Sequence, residues 1–435
     1  MMEWIKVTTH LAPMLIQAGL LNLVWTHPDQ LQKPMIRWTR LSLLPISLSF
    51  LLSDLWNLKY NSQLSIFIKT NLGCTFGGHA FRLALLALQQ PEPQKQAKGP
   101  SSDEKSTPKA SVEREQSALQ NLASIFMLAL AGSTNPSKKA KISSGVNQGI
   151  RDDMIFLMTT LRRLIFLHFS SVIALIFWKI TSDESLTIDQ PILKLLGNYK
   201  SEIRAFSWGM FVWIGIDLQG CLPRISMFAL KILSRLLSNF VALPTMISKQ
   251  LEKFKQIDLS QACPFYYKNL PLGASSLTDF WSRHWHEILK DLFIEAGVAP
   301  VTYVLVSFLG LQAKSTFVRI SGIMGAFTIS AVLHEVGIWS AGPLDPTFKT
   351  SIFFLSQGVG VCLENGFKKI SGRKVNGFLG RIWLLTWLVY FGQPMVSIWL
   401  ENLGFNQNNV FRKVDDIGLF RLMYTPFIVP KLLMF

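Results

Sequence analysis

Long apolar runs alternate with short polar or basic breaks along the whole chain. The runs fall at 11–27, 41–58, 70–88, 154–178, 205–222, 292–312, 316–341, 350–367, 377–400 and 416–433, with a shorter one at 119–131. A helix of about 20 apolar residues crosses a hydrocarbon layer of about 30 Å. Some of the runs are too short or too polar to cross, so the pattern predicts about 8–9 transmembrane helices. Strand-like alternation is weak and no internal repeat is visible, which makes the expected fold class all-α, a polytopic membrane protein.

The polar breaks divide the chain further. From Gln89 the sequence QQPEPQKQAKGPSSDEKSTPKASVEREQS is rich in Pro, Ser and charge of both signs and has almost nothing to bury. It predicts a flexible loop over 89–118, between N-terminal membrane helices at 1–88 and a core at 119–435. A second polar stretch, Gly132–Asp153, carries Lys138, Lys139 and Lys141. Between Arg224 and Gln256, Leu, Ile and Phe mix with basic residues at helical spacing. That pattern predicts interfacial amphipathic helices broken at Pro244. The N-terminal run has no basic leader and no small-residue cleavage site, and is expected to be a first membrane helix.

Composition narrows the class without changing it. Hydrophobic residues make up 49% of the chain, charged residues 16%, and the mean hydropathy is +0.30; soluble domains carry about 25% charged residues. The formal charge of +16 is dispersed between apolar segments. Basic loops beside a lipid bilayer account for it, and nucleic acid is not an expected partner. Four cysteines, at 74, 221, 263 and 362, lack CxxC spacing, so neither a metal site nor a disulfide framework is expected.

Ionisable residues inside apolar segments are costly and mark candidate sites. They are Asp54, His79, His168, Asp217, His334, Glu335 and Glu364. His334 ends a stripe of Gly322, Ala326, Ser330 and His334 at four-residue spacing, a pattern that turns a helix face toward a close neighbour. Gly337 is expected to leave room around the imidazole. A histidine hydrogen-bonded only for packing fits the same pattern, and both readings stay open.

The stretch FWSRHWHEIL (Phe280–Leu289) is dense in aromatic and polar groups. On an α-helical wheel Trp281, Trp285, Ile288, Leu289 and Leu292 share one side, and Arg283, His286 and Lys290 the other. A purely anchoring interfacial helix and an active-site helix both fit. His79 lies beside Gly77 and Gly78, and His168 near a span edge. Glu364 is expected to reach the basic end of its helix or a histidine on another helix. No nucleotide-binding, metalloprotease, serine-hydrolase or haem motif stands in a supporting context.

Two blocks taken together resemble a known family. SLTDFWSRHWHE (Ser276–Glu287), followed by FTISAVLHE (Phe327–Glu335), is similar to the paired signature of membrane-bound O-acyltransferases in their wax-synthase-like branch. The two histidines, His286 and His334, are 48 positions apart. The likeness is specific over 276–340, and within the branch the chain looks most like fungal enzymes that acetylate terpenoid and meroterpenoid hydroxyls. It departs in Glu287, where glutamine is common, and in a degenerate arginine-glycine motif near Gly145–Arg151.

The resemblance implies that His334 is the catalytic base and that His286 fills the second active-site position. It implies substrate and coenzyme A contacts at Arg283, Lys290, Trp281, Trp285 and Ser330, with no bound cofactor or metal. It further implies acetyl-CoA or another acyl-CoA as co-substrate, a terpenoid-like hydrophobic alcohol as acceptor, and the endoplasmic reticulum as location. A long-chain wax ester synthase is the alternative within the family. A secondary transporter, which predicts repeats, and a noncatalytic scaffold are the alternatives outside it.

Overall fold

The computed structural model describes residues 8–26, 34–64, 66–88, 149–182, 197–240, 254–285 and 288–402, with 248, 251 and 252. The expected loop 89–118, the runs 119–131 and 416–433, Pro244, most of Gly145–Arg151, and His286 with Glu287 lie outside the described residues. Among the described residues every regular element is helical. The long helices are α1 (Leu11–Thr26), α2 (Pro34–Tyr60), α3 (Ile66–Leu88), α4 (Ile150–Ser182) and α5 (Lys200–Phe240). After two short pieces, α6 (Leu259–Ala262) and α7 (Leu277–Asp279), come α8 (Lys290–Phe308), α9 (Thr316–Ala341), α10 (Lys349–Ser371) and α11 (Gly377–Asn402).

Six of these, α2, α4, α5, α8, α9 and α11, are long and apolar enough to cross a membrane. The protein is all-helical and polytopic. The helices gather into two compact units, one of Met1–Lys139 with Ile288–Leu344, the other of Ala140–Glu287 with Asp345–Phe435.

In the first unit small residues set how closely the helices approach. Gly73 and Gly77 of α3 face Ser340 and then Leu333 and Val336 of α9, in reverse order, so the two helices are antiparallel. A Cβ at Gly73 would lie 2.5 Å from Ser340 Oγ. On the other side of α9, a Cβ at Gly297 of α8 would lie 2.7 Å from the Gly325 carbonyl oxygen, the backbone-to-backbone approach that glycine pairs allow between membrane helices.

The same unit buries a polar chain. Asp54 and His10 are fully buried and His79 is nearly so. Asp54 accepts from Thr9 Oγ1 at 2.6 Å and from the His10 backbone N–H at 2.8 Å, and His10 Nδ1 lies 2.6 Å from its Oδ2. His10 Nε2 then sits 2.8 Å from His79 Nδ1. Two of the costly residues, on α2 and α3, thus satisfy each other through the residue just before α1.

In the second unit α4 and α5 share a polar seam. Lys231 Nζ donates to Asp153 Oδ1 at 2.8 Å, Arg235 pairs with the same carboxylate at 2.5 Å, and Arg163 pairs with Asp217 at 2.5 Å. Arg224 donates to Thr160 Oγ1 at 2.9 Å and stacks on Phe156 and Phe265. Three of these cations also hold the segment ahead of the first motif block, Lys231 donating to the Ile257 carbonyl, Arg224 to that of Cys263 and Arg163 to that of Tyr267. The amphipathic stretch from Arg224 to Phe240 therefore continues α5 through Pro223, and is not a separate interfacial helix. Its basic residues face carboxylates and carbonyls of the protein.

Candidate active site

The first motif block begins at Ser276, whose Oγ accepts the Asp279 N–H at 3.1 Å, a side-chain helix cap. The chain then makes a π-turn over Phe280–His284, closed by Trp285 N–H donating to the Phe280 carbonyl at 2.7 Å. Trp285 is extended, with ψ 158°, and ends the helix. The wheel drawn on one continuous α-helix therefore does not hold. Arg283 lies in the π-turn, Lys290 opens α8 beyond the break, and the two do not share a helix face.

The tryptophans pack together. Trp281 and Trp285 pack on each other at 5.8 Å between centroids, on Phe280 at 5.1 and 5.3 Å, and on Phe354 and Tyr267 at 6.3 and 5.7 Å respectively. They build an aromatic cluster within their unit and stay half-exposed.

The polar side of the turn is organised by Asp279. Arg283 Nη2 lies 2.7 Å from Asp279 Oδ1, its own side chain 70% exposed, and the Ser275 N–H donates to Oδ2 at 3.0 Å. Partial burial pushes the Asp279 carboxyl up, but the Ser275 N–H, His284 and Arg283 outweigh it and hold the group below the usual carboxylate range. His284, which no hydropathy or spacing signal singles out, has Nδ1 2.6 Å from the Leu270 carbonyl oxygen and Nε2 3.5 Å from Asp279. It ties the 271–273 turn to the block. The one available signal was its place within the same motif.

His334 lies deep in α9. Its Nδ1 is 2.7 Å from the carbonyl oxygen of Ser330, one turn earlier. A carbonyl only accepts, so Nδ1 carries the proton and in the neutral ring Nε2 carries the lone pair. That leaves Nε2 as the ring nitrogen able to take a proton. Ser330, buried, is joined to His334 through its carbonyl. Gly322 of the small-residue stripe packs on Val298 and Thr302 of α8, so the stripe does face a neighbouring helix. Gly337 does not leave room around the imidazole; a Cβ there would meet Cys74 Sγ and the Thr70 carbonyl of α3.

Among the described residues Glu364 pairs with neither the basic end of α10 nor a histidine. It accepts the backbone N–H groups of Leu277 and Thr278. Asp217 is taken up by the α4–α5 seam, and the His168 ring stands beside Phe169. Among the described residues no group of three His, Cys, Asp or Glu is placed to hold a metal ion.

Comparison with known proteins fits this geometry. Residues 263–356, which hold both motif blocks, match the model of the membrane bound O-acyl transferase family. Three relatives match over part of their length. A probable long-chain-alcohol O-fatty-acyltransferase of Arabidopsis thaliana is 31% identical over 28% of this chain and 37% of its own length. An acyl-CoA–sterol O-acyltransferase of the same plant is 30% identical over 34% of this chain and 41% of its own. An acetyltransferase of Rhodocybe pseudopiperita is 28% identical over 27% and 32%. The chain thus matches less than half the length of each of these relatives. No solved structure matches it.

Proposed function

We propose that this protein is a membrane O-acyltransferase that moves an acyl group from acyl-CoA to the hydroxyl of a hydrophobic alcohol, with acetyl-CoA as donor and a terpenoid-like alcohol as acceptor. The observation that carries the reading is the His334 tautomer, fixed by Ser330, inside the region matching the acyltransferase family. A hydroxyl is a poor nucleophile, and a neutral imidazole within hydrogen-bond reach removes its proton as it attacks.

In this reading His334 Nε2 takes the alcohol proton while the alcohol oxygen bonds to the thioester carbonyl carbon. The tetrahedral adduct collapses with loss of the C–S bond, and the imidazolium returns its proton to the departing thiolate. Proton and charge balance without a metal or a redox partner. His286 is assigned a hydrogen bond to the developing oxyanion, Arg283 and Lys290 the coenzyme A phosphates, and Trp281, Trp285 and Ser330 the substrate lining. The fungal acetyltransferase relative supports the acetyl donor, and the sterol acyltransferase relative supports a polycyclic alcohol. A second reading, long-chain acyl transfer to a fatty alcohol, is favoured by the names of the plant relatives.

The test is ester formation in membranes carrying the protein, given acetyl-CoA and a panel of terpenoid and long-chain alcohols and read by mass spectrometry. His334→Ala is expected to lower the rate at least about 100-fold, the contribution of a positioned base. A parental rate in that variant removes His334 as the base.

A further inference from the structure

Glu364 stands outside residues 263–356, and neither motif block contains it. A carboxylate buried among apolar helices is tolerated only when donors surround it. Its residue is 6% exposed. Oε1 accepts the Leu277 N–H at 2.7 Å and the Trp383 indole N–H at 3.0 Å, and Oε2 accepts the Thr278 N–H at 2.8 Å. Leu277 and Thr278 open the motif helix, where backbone N–H groups have no acceptor within their own turn. One carboxylate thus meets three donors, two of them backbone atoms of the SLTDFW block.

Further contacts from α10 and α11 seat the same block. Gly360, one turn before Glu364, leaves space that Leu277 fills, since a Cβ there would lie 2.5 Å from Leu277 Cδ1. Gly380 of α11 does the same for the Ser275 carbonyl. Phe354 of α10 meets the Trp281 ring. α10, which starts within the matched residues and runs past them, and α11, which lies beyond them, therefore form the bed on which the block lies.

We propose that Glu364 is a positioning residue for acyl transfer: from α10 it fixes where the Ser276–His284 turn begins, and so where the chain leaves that turn at Trp285, next to His286. The inference rests on the acyltransferase reading for its catalytic consequence, but not for its geometry. Glu364→Gln keeps the shape and turns an amide donor toward one of three donors, so at least one bond is lost.

The experiment measures two quantities on the purified full chain. Hydrogen exchange over residues 275–285 is expected to accelerate at least about 10-fold in Glu364→Gln at an unchanged melting temperature. Ester formation is expected to show kcat lowered at least about 10-fold, with KM for acyl-CoA and alcohol within about twofold, because misplacement of a catalytic segment acts on the chemical step. Glu364→Asp, which keeps the charge, is expected to recover part of kcat. Unchanged exchange, or a parental kcat in Glu364→Gln, overturns the proposal. Should Glu364→Gln fail to fold, Gly360→Ala, whose Cβ would press on both Leu277 and Trp387, disturbs the same seat without touching the carboxylate. Its kcat is expected to fall in the same way, and a parental value there also overturns the proposal. A parent that forms no ester with any donor defeats the acyltransferase reading instead, while the exchange result still decides whether Glu364 seats the block.

Discussion

At the scale of single residues, hydrogen-bond partners decide what each ionisable group does. His334 takes its direction from the Ser330 carbonyl. Asp279 takes its charge from the Ser275 N–H, His284 and Arg283, which together overcome its partial burial. A carboxyl held below its unfolded value of about 3.9 contributes stability that is present above that pH and lost as pH falls through the lower folded value. Asp279→Asn is therefore expected to lower the melting temperature at pH 7, and the gap to the parent is expected to close as the pH approaches 3. A gap independent of pH would mean that the Asp279 charge does not hold the turn. The sequence made Asp54, His79 and Glu364 legible as costly to bury, because hydropathy alone marks them. It did not make their partners legible. His10 stands just before the first apolar run, and the acceptor role of Glu364 depends on N–H groups 86 and 87 positions away.

Elements are where periodicity helped most and where it misled. Apolar runs of about 20 residues marked α2, α4, α9 and α11, since the length needed to cross a bilayer is a property of the helix itself. The break at Trp285 was not legible, because FWSRHWHEIL contains neither Gly nor Pro and an α-helical wheel presumes 3.6 residues per turn throughout. The π-turn that shifts the wheel is imposed by the aromatic cluster and the caps around it. The stretch after Arg224 misled for a related reason: a basic amphipathic pattern serves a headgroup layer or a buried seam equally well. Lys231 is fully buried against Asp153, which also holds Arg235. Removing one partner of a buried pair strands the other, at about 3–5 kcal/mol. Asp153→Ala is accordingly expected to cost about 3 kcal/mol or more in detergent unfolding, whereas Lys231→Met, which leaves Arg235 on the carboxylate, is expected to cost clearly less. Equal and small losses would show the seam to be only a solvated face.

For the whole molecule, the reaction and the substrate are written at different levels. The two motif blocks fall within one stretch of 94 residues, 263–356, and that stretch alone matches the family model. Relatives named for a long-chain alcohol, a sterol and acetyl transfer match this chain at 31, 30 and 28% identity, so degree of likeness does not separate the donors or the acceptors. In the proposed acyl transfer, chain-length preference follows from how much apolar surface the acyl group finds to bury, at about 0.8 kcal/mol per CH₂. Palmitoyl exceeds acetyl by fourteen carbons, so a site lined for the long chain discriminates by many orders of magnitude, and a site closed to it discriminates sterically in the other direction. Equimolar acetyl-CoA and palmitoyl-CoA offered together with one terpenoid alcohol are therefore expected to give a lopsided product. The acetyl ester is expected in at least about 10-fold excess, measured by mass spectrometry at low conversion so that the ratio reports kcat/KM. A palmitoyl excess of that size assigns the long-chain reading and leaves the roles proposed for His334 and Glu364 unchanged, because neither depends on the length of the acyl group.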